Sequence, residues 1–483
     1  MSTITIIWVA LPFFIGFSIY LLPKCDRALA MLVALASLGY GLQQLFNPSS
    51  LNLHLLDRFG VSLVIDPLSG YFILTNAIVT IAVILYCWRS DKTAFFYTQA
   101  IILHGSVNAI FICADFISVY VALEVISIAT FLLIAYPRSD RSIWIGLRYL
   151  FTSNTAMLFY LIGAVLVYQA NHSFAFAGLQ TAPTEAVALI FVGLLTKGGI
   201  FVSGLWLPLT HSESETPVSA LLSGVVVKAG IFPLIRCALL LPEIDPIVRI
   251  FGVGTALLGV CYAVFAKDTK RMLAFHTVSQ LGFVLAAPEV GGFYALTHGL
   301  VKSALFLIAG NLPSRDFKTL KKTPIPTAIW TALAIASFSI SGFPMLSGFG
   351  AKVLTMKNLL PWQTIGMNIA ALGTAISFAK FIFLPHEKNP ASVDESKQKV
   401  KPGFWATMVV LLGGLVLANG VYYDAYTLKN IVKPLVTIAL GWLAYLLIFQ
   451  KLTLKIPRIP EQFEHLIGVM SLMLTLIFWM VLA

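Results

Sequence analysis

The chain has 483 residues, of which 58% are hydrophobic and only 11% are charged. Soluble globular proteins carry about 25% charged residues, so this composition excludes a soluble enzyme and indicates an all-α, polytopic membrane protein. The apolar runs are continuous, which excludes a β-barrel with its alternating strands. Most Lys and Arg residues stand in short segments between apolar runs, so the net charge of +11 reports on membrane topology and not on nucleic-acid binding.

Apolar runs of about 20 residues, the length that crosses a bilayer, predict sixteen spans. These runs fall near residues 4–22, 28–46, 67–88, 95–114, 116–136, 143–168, 184–208, 217–241, 246–266, 272–289, 291–310, 327–349, 362–384, 403–422, 431–450 and 466–482. The first run has no basic segment before it and no small-residue cleavage site after it. It is therefore predicted to be a retained helix and not a signal peptide.

The basic residues of the loops predict the orientation of these spans. When the loops are assigned alternately to two sides, twenty Lys and Arg residues fall on one side and five on the other. The five are Arg58, Arg249, Lys357, Lys429 and Lys433. The positive-inside rule then predicts that the richer side is cytoplasmic and that both termini lie on the opposite side.

The sequence predicts no bound metal, nucleotide or other cofactor. Its cysteines are scattered singly, without the paired spacing of zinc or iron-sulfur sites, at Cys25, Cys87, Cys113, Cys237 and Cys261. The chain also lacks a phosphate-binding P-loop and a G-x-G-x-x-G turn between a strand and a helix. An ATP-driven pump is therefore disfavoured.

Six charged residues within or next to the predicted spans are singled out. They are Glu124, Lys197, Lys228, Lys302, Lys352 and Lys380. A charge at the bilayer centre costs about 2.5 to 3.5 kcal/mol, so each is a functional candidate. One acid cannot neutralise five lysines, and we expect some to lie in hydrated cavities, lose their proton or pair with carboxylates of other subunits. Lys380 lies close to the end of its span, where snorkelling to the interface is an equal alternative.

Histidines accompany these charges. His298 and Lys302 are four residues apart and share one helical face, which suits a proton relay between imidazole and amine. The alternative for a lone membrane histidine is a hydrogen-bonded packing residue, and for His276 this alternative is preferred. His211 is predicted to lie in a loop.

Helix-breaking residues stand beside two of the lysines. SGLWLP at 203–208 follows Lys197, and SGFPMLSGFG at 341–350 precedes Lys352. Irregular backbone at membrane depth is tolerated only where protein or a water-filled cavity covers it. Interrupted segments at corresponding positions of two halves are typical of transporters with inverted repeats.

The spacing of ionisable residues supports such repeats. Lys197 and Lys352 are 155 residues apart, and offsets of 152 separate Lys228 from Lys380 and Glu124 from His276. We therefore predict two five-helix repeats, at 95–241 and 246–384, between a three-helix segment at 1–94 and C-terminal helices at 385–483.

Five segments carry a resemblance to a known family. They read DFISVYVALEVISIATFLLIAY, LLTKGGIFVSGLWLPLTHSESETPVSALLSGVVVKAGIFPLIR, DTKRMLAFHTVSQLGFVL, HGLVKSALFLIAGNL and SGFPMLSGFGAKVL, within about residues 66 to 384. The chain resembles the antiporter-like subunits shared by complex I and the multisubunit Mrp cation/proton antiporters. This implies a fourteen-helix core with inverted repeats in helices 4–8 and 9–13, broken helices 7 and 12, and a hydrated polar axis.

The resemblance also implies roles for individual residues. Glu124 on helix 5 would pair with Lys197 on helix 7, and Lys228 on helix 8 would be the bridging lysine. His298 and Lys302 would lie on the helix 11 connection, and Lys352 on helix 12 would end the axis. Lys380 has no role in the family pattern.

The sequence departs from that pattern in two places. Leu209 follows WLP where many members have aspartate, and Glu213 and Glu215 place acids nearby instead. Two spans beyond residue 422 exceed the fourteen-helix core, and the tail is predicted to form two ordinary spans instead of one long lateral helix.

The expected function is proton translocation as one subunit of a larger complex in an energy-coupling membrane, the bacterial inner membrane or a thylakoid. A lysine at position 352 and a length near 480 favour an Mrp D-type subunit, which would exchange protons for Na⁺ together with other membrane subunits. The alternative is a proton-pumping subunit of complex I, followed by a hydrogenase-linked module or an inorganic-carbon uptake partner. A purely structural scaffold is disfavoured by the charges at mid-membrane.

Overall fold

A computed structural model describes residues 2–46, 50–56, 59–388, 400, 402–452, 454 and 456–482. The α-helices are α1 Ser2–Leu21, α2 Asp26–Phe46, α3 Pro67–Cys87, α4 Ala94–Ile110, α5 Phe116–Ile134, α6 Asp140–Asn171, α7 Thr184–Gly198, α8 Leu207–Glu213, α9 Thr216–Leu221, α10 Lys228–Leu240, α11 Asp245–Phe265, α12 Thr269–Ala286, α13 Gly291–Ala309, α14 Phe317–Leu320, α15 Thr327–Ser341, α16 Ser347–Lys357, α17 Gln363–Ile382, α18 Phe404–Ala418, α19 Leu428–Ala444 and α20 Phe463–Leu482.

Shorter elements link these helices. The 3₁₀ helices are Pro23–Cys25, Phe176–Gln180, Phe201–Trp206, Pro288–Val290, Asn419–Ala425 and Ile459–Glu461, and the π-helical turns are Leu222–Val226 and Tyr445–Phe449. The strands form two small sheets: β1 Leu51–Leu56 pairs antiparallel with β2 Gly60–Ile65, and β3 Ile325–Pro326 pairs parallel with β4 His386–Glu387.

The helices make this chain an integral multi-pass membrane protein. Within the described residues, thirteen helical stretches are long and apolar enough to cross a membrane. The three other predicted spans are occupied by α4, which has 17 residues, by the more polar α12, and by the interrupted pair α15 and α16. The two groups of five spans run over 94–240 and 245–382, and their relation as inverted repeats stays a prediction.

The spans divide into an interior group and a peripheral group. Every residue of α13 is buried, and α12 is nearly as enclosed. In contrast, α1, α18, α19 and α20 expose long apolar faces, with Phe14, Val409 and Leu472 among the exposed side chains. Because a helix that is apolar all round needs lipid or protein on every side, these exposed faces are lipid-facing or subunit-facing.

Loops predicted to be cytoplasmic meet through ion pairs. Lys92, after α3, binds Glu215 with Nζ to Oε2 at 2.6 Å, and Arg141 in the first turn of α6 binds Glu213 at 3.2 Å. The two acids that depart from the family pattern therefore hold loops together on one side of the membrane. The assignment of that side to the cytoplasm stays a prediction, and Arg58, Lys397, Lys399, Lys401 and Lys455 of the charge count lie outside the described residues.

The C-terminal tail spans both halves of the molecule. Helix α19 packs on α17, whereas α20 packs on α7 and on the 3₁₀ helix Phe201–Trp206. Between them, the Glu461 carboxylate accepts from Arg271 of α12 at 2.6 Å, and its backbone carbonyl accepts from Arg148 of α6. The tail does form two spans, as predicted, but the sequence did not indicate that they attach to opposite halves.

Candidate proton-translocation site

The seventh span is broken directly after a buried lysine. Helix α7 ends at Gly198, and Gly199 adopts a left-handed conformation with φ +71° that favours glycine. A 3₁₀ helix, Phe201–Trp206, then leads into α8, which has Pro208 in its first turn. Lys197 therefore lies in the last turn of α7 and is 2% exposed.

The Lys197 ammonium is held by hydroxyl groups. Its Nζ donates to Ser127 Oγ on α5 and to Ser153 Oγ on α6, the latter at 2.6 Å. The two hydroxyl oxygens are 3.0 Å apart, and the Tyr149 ring centroid lies 5.6 Å from Nζ. Neutral acceptors and a π face thus surround this buried amine.

Glu124 does not contact Lys197. Within the part of the chain that the structure describes, these two residues form no ion pair, and the buried Glu124 Oε1 has no hydrogen-bond partner. The predicted direct pair is therefore not formed in this structure. Ser127 lies three residues further along the same face of α5 and takes the position next to the amine.

Lys228 lies at the centre of the molecule beside an irregular turn. The preceding segment, Leu222–Val226, is π-helical, which leaves carbonyl groups free for side-chain donors. Lys228 Nζ donates to the carbonyl oxygen of Gly224 at 2.6 Å and to that of Ser223 at 3.3 Å. Its side chain is completely buried.

Glycines bring the helices of this centre into close contact. A Cβ at Gly230 of α10 would collide with the backbone of Gly198 in α7, so the helices that carry Lys228 and Lys197 touch there. A Cβ at Gly299 of α13 would lie 3.0 Å from the carbonyl oxygen of Gly224 and 3.6 Å from Lys228 Cε. These close approaches place the amine of Lys228 against α13.

His298 faces Lys228 and not Lys302. Its Nδ1 is 3.4 Å from Lys228 Nζ, whereas Lys302 Nζ donates to the carbonyl oxygen of Leu273 on α12 at 2.5 Å. The predicted relay between His298 and Lys302 is corrected accordingly, because a shared helical face does not require the two side chains to meet. Among the described residues, His298 Nε2 has no hydrogen-bond partner.

The twelfth span is broken before its lysine. Helix α15 ends at Ser341, Gly342 has φ +87°, and the chain resumes as α16 at Ser347. Lys352 lies on α16, is 6% exposed, and has no hydrogen-bond partner for Nζ within the described residues. Its ammonium lies 5.6 Å from the Phe283 ring centroid. Lys352 follows the break in its span, whereas Lys197 precedes the break in its own. The two lysines therefore do not occupy corresponding positions.

A small cavity with polar and apolar side chains in its lining lies between His298 and the twelfth span. Its volume is about 10 Å³, and its lining includes Gln280, Tyr294, His298 and Ser339. Tyr294 donates to Gln280 Oε1 at 2.7 Å. A cavity needs roughly 10 to 15 Å³ to hold one water molecule, so this space is of the size that lets a single water bridge polar groups.

Lys380 and His276 are two further ionisable residues of the second half. Lys380 Nζ donates to the carbonyl oxygens of Ala266 at 2.8 Å and Ala263 at 3.2 Å, at the C-terminus of α11, where a cation is favoured. His276 is fully buried, packs its ring 4.7 Å from that of Phe378, and has no hydrogen-bond partner among the described residues.

His211 was predicted to lie in a loop, and this prediction is wrong. It lies in α8 and not in a loop, is completely buried, and stacks on Phe306 with ring centroids 4.8 Å apart. Lys302 Nζ lies 5.6 Å from the centroid of the same Phe306 ring. The signal that would have placed His211 is Pro208 three residues earlier, because proline often opens a helix. In the described ranges, no group of His, Cys, Asp and Glu could hold a metal ion.

Comparisons with known proteins identify the family of this chain. The family model described as NADH:quinone oxidoreductase/Mrp antiporter, TM, matches residues 113–377, more than half of the chain. The N-type subunit of NADH-quinone oxidoreductase from Desulforudis audaxviator is 29% identical over 80% of this chain and 85% of its own length. The D-type subunit of the Na⁺/H⁺ antiporter from Alkalihalophilus pseudofirmus is 28% identical over 61% of this chain and 66% of its own length.

A solved structure shares the fold. A chain of the membrane-bound sulfane sulfur reductase, an archaeal respiratory membrane complex, superposes with a TM-score of 0.76 at 19% identity, over 92% of this chain and 100% of that chain. The named relatives are subunits of larger complexes. This chain belongs to the NADH:quinone oxidoreductase/Mrp antiporter membrane family.

Proposed function

We propose that this chain is the proton-translocating subunit of a multisubunit Na⁺/proton antiporter of the Mrp type. The observation that carries the proposal is a set of buried lysines, at two helix breaks and one π turn, that form no ion pair within the described residues. A lysine is almost never fully buried unless it is paired. Amines held by neutral acceptors can instead exchange a proton with their neighbours.

The proposed path runs laterally at mid-membrane. Its residues are Glu124, Lys197, Lys228, His298, Lys302 and Lys352. The hydroxyls of Ser127 and Ser153 connect to Lys197, and the helix contact at Gly198 and Gly230 brings its helix against that of Lys228. The water-sized cavity then lies between His298 and the helix of Lys352.

Glu124 would control the charge of Lys197. In the described state the lysine binds hydroxyls and the glutamate stands apart. A change of side-chain rotamer that brings Glu124 to Lys197 would hold the proton on the amine, because an adjacent carboxylate favours the charged form. Separation of the two would release the proton toward Lys228.

A second candidate function is a proton-pumping subunit of a complex I-like oxidoreductase. The match to the N-type subunit of NADH-quinone oxidoreductase, which extends over 85% of that relative, favours it. In either case the chain is proposed to work in an energy-coupling membrane, with its termini on the non-cytoplasmic side. Neither candidate requires redox chemistry in this chain.

The test replaces Lys197 with alanine in the intact complex. We expect proton flux across vesicles to fall at least tenfold while the complex still assembles, because the amine that accepts the proton is removed. Lys380→Met is the matched control, since Lys380 is a half-buried lysine of the spans that binds carbonyl groups off the path. Wild-type flux in Lys197→Ala would contradict proton translocation by this path.

Copurification and the driving force separate the two candidates. Na⁺/proton exchange driven by a pH gradient alone, without an electron donor, supports the Mrp assignment. Dependence on an electron donor, together with copurifying iron-sulfur and quinone-binding subunits, supports the complex I assignment. A fully active solitary monomer would contradict both.

A further inference from the structure

A cavity of about 390 Å³ lies between α16, α17 and α19, at the ends of these helices that the charge count predicts to be non-cytoplasmic. Its lysines are the buried Lys352 and three exposed residues, the outer lysines Lys357, Lys429 and Lys433. The amide groups of Asn368 and Asn430 add to its polar lining, and no described Asp or Glu lines it.

These outer lysines are unusual for their side of the membrane. Non-cytoplasmic loops are depleted of Lys and Arg, yet three of the five basic residues predicted on this side converge on one cavity. Of the other two, Arg249 is neutralised by Asp245 at 2.7 Å and by Glu289, and Arg58 lies outside the described residues. The outer lysines, in contrast, form no ion pair with any described residue.

The start of α19 adds to the positive potential. Lys429 and Lys433 are in the first two turns of this helix and lie four residues apart on one face. Cations near a helix N-terminus are disfavoured by the helix dipole, by about 0.3 to 1 kcal/mol each, whereas anions are favoured. An anion at this position would neutralise both contributions.

Lys352 provides an independent indication of a ligand. It is 6% exposed and lines the cavity, and its Nζ has no hydrogen-bond partner among the described residues. A buried ammonium without a counter-charge is costly. A negatively charged group in the cavity would supply that counter-charge.

The surroundings of the cavity fit a lipid. Ile365 and Ile369 flank Asn368 on α17 and are 74% and 54% exposed, and Val436 and Leu440 on α19 are exposed to a similar extent. The side chains on α19 continue from the cavity toward the middle of that helix, and those on α17 lie in its N-terminal part beside the cavity. A free inorganic anion would leave this apolar surface exposed, whereas acyl chains would cover it.

We propose that the outer lysines bind the phosphate headgroup of an anionic phospholipid, whose acyl chains lie along the exposed face of α19 beside the N-terminal part of α17. The lipid would act as a fixed counter-charge beside Lys352. This binding does not depend on the proposed transport function, because it is measured without an ion gradient.

The experiment uses the intact complex in phosphatidylcholine nanodiscs with a small fraction of photoreactive phosphatidylglycerol or photoreactive phosphatidylcholine. Crosslinks to peptides that contain residues 428–440 are quantified by mass spectrometry. We expect phosphatidylglycerol to label these peptides at least tenfold more than phosphatidylcholine. The double variant Lys429→Gln with Lys433→Gln should reduce that labelling at least fivefold.

Two further variants act as controls. Lys318→Gln with Lys322→Gln removes two exposed lysines with the same spacing on the other side, and should leave the labelling unchanged. Lys429→Arg with Lys433→Arg keeps both charges and should retain it. Equal labelling by both lipids, equal loss in both glutamine variants, or displacement by millimolar inorganic phosphate without a lipid preference would overturn the proposal.

Discussion

The seventh and twelfth spans are interrupted in the same way but use their lysines differently. Each break begins at a glycine with positive φ, Gly199 or Gly342. Lys197 precedes its break by two residues, whereas Lys352 follows its break by ten. The glycines are therefore 143 residues apart, whereas the lysines are 155 residues apart. The offset between the two lysines does not place them at corresponding positions relative to their breaks.

The surroundings of the two lysines differ accordingly. Lys197 is enclosed by two serine hydroxyls, and Lys352 has no described hydrogen-bond partner and lines a cavity of about 390 Å³. The comparison indicates that the first break holds its amine in a defined hydrogen-bond network, whereas the second places its amine next to a space that opens at the surface. The first lysine suits a switch, and the second suits the proposed end of the path.

The largest effect expected from this comparison concerns the serines. Ser127→Ala with Ser153→Ala removes both acceptors of Lys197, and leaving a buried donor unsatisfied costs about 1 to 3 kcal/mol. Proton flux per assembled complex should fall about tenfold. The control is Ser337→Ala with Ser347→Ala in the twelfth span, whose hydroxyls bond to no described residue. A change below twofold is expected there, and equal losses would show that the two breaks do not differ.

A smaller effect is expected from alanine at the two glycines. Gly199→Ala and Gly342→Ala should each destabilise the protein by about 1 to 2 kcal/mol, because both positions have positive φ. Only at Gly342 would the new Cβ contact a lysine of the proposed path, because this Cβ would lie 2.9 Å from Lys352 Cδ. At Gly199 it meets the Leu207 side chain instead.

The effects of the two glycine substitutions are measured by thermal unfolding and by proton flux. Both variants should unfold at similarly lowered temperatures. Flux normalised to assembled complex should fall several-fold for Gly342→Ala and less than twofold for Gly199→Ala. The reverse order of flux would contradict the placement of Lys352 against its break.

The predictions from the sequence succeeded where backbone preferences decide and failed where side-chain packing does. Apolar runs were sufficient to place the helices, and Gly and Pro were sufficient to locate both breaks, as Gly342 illustrates. The choice of Ser127 over Glu124 as the partner of Lys197 was not predictable, because both lie on one face of α5 and only the packing of α6 selects between them.

The attachment of the tail was also not predictable, for a related reason. Hydropathy identifies a span but does not indicate which neighbour it packs against. The contact of Glu461 with Arg271 joins residues 190 positions apart, and no local pattern marks it.

The smallest effect on proton flux is expected from the tail, where the change is one of local stability. Glu461→Gln weakens a largely buried ion pair beside the first break, and should cost about 1 to 3 kcal/mol of stability. Glu213→Gln is the control, because its pair with the exposed Arg141 should contribute at most about 1 kcal/mol. Hydrogen exchange in Glu461→Gln should increase at residues 199–206 and stay unchanged at 342–346, since α20 packs on the seventh span. Equal increases at both segments would contradict this one-sided attachment.

The most direct test of the proton path is the flux of Lys352→Arg in the assembled complex. Arginine keeps the positive charge but does not release its proton under physiological conditions, whereas Lys352→Ala removes both charge and carrier. A path that ends at Lys352 predicts that both variants insert and assemble normally while proton flux falls below about a tenth of wild type. Normal flux with arginine would show that Lys352 supplies only a fixed charge, and would contradict the proposed end of the path.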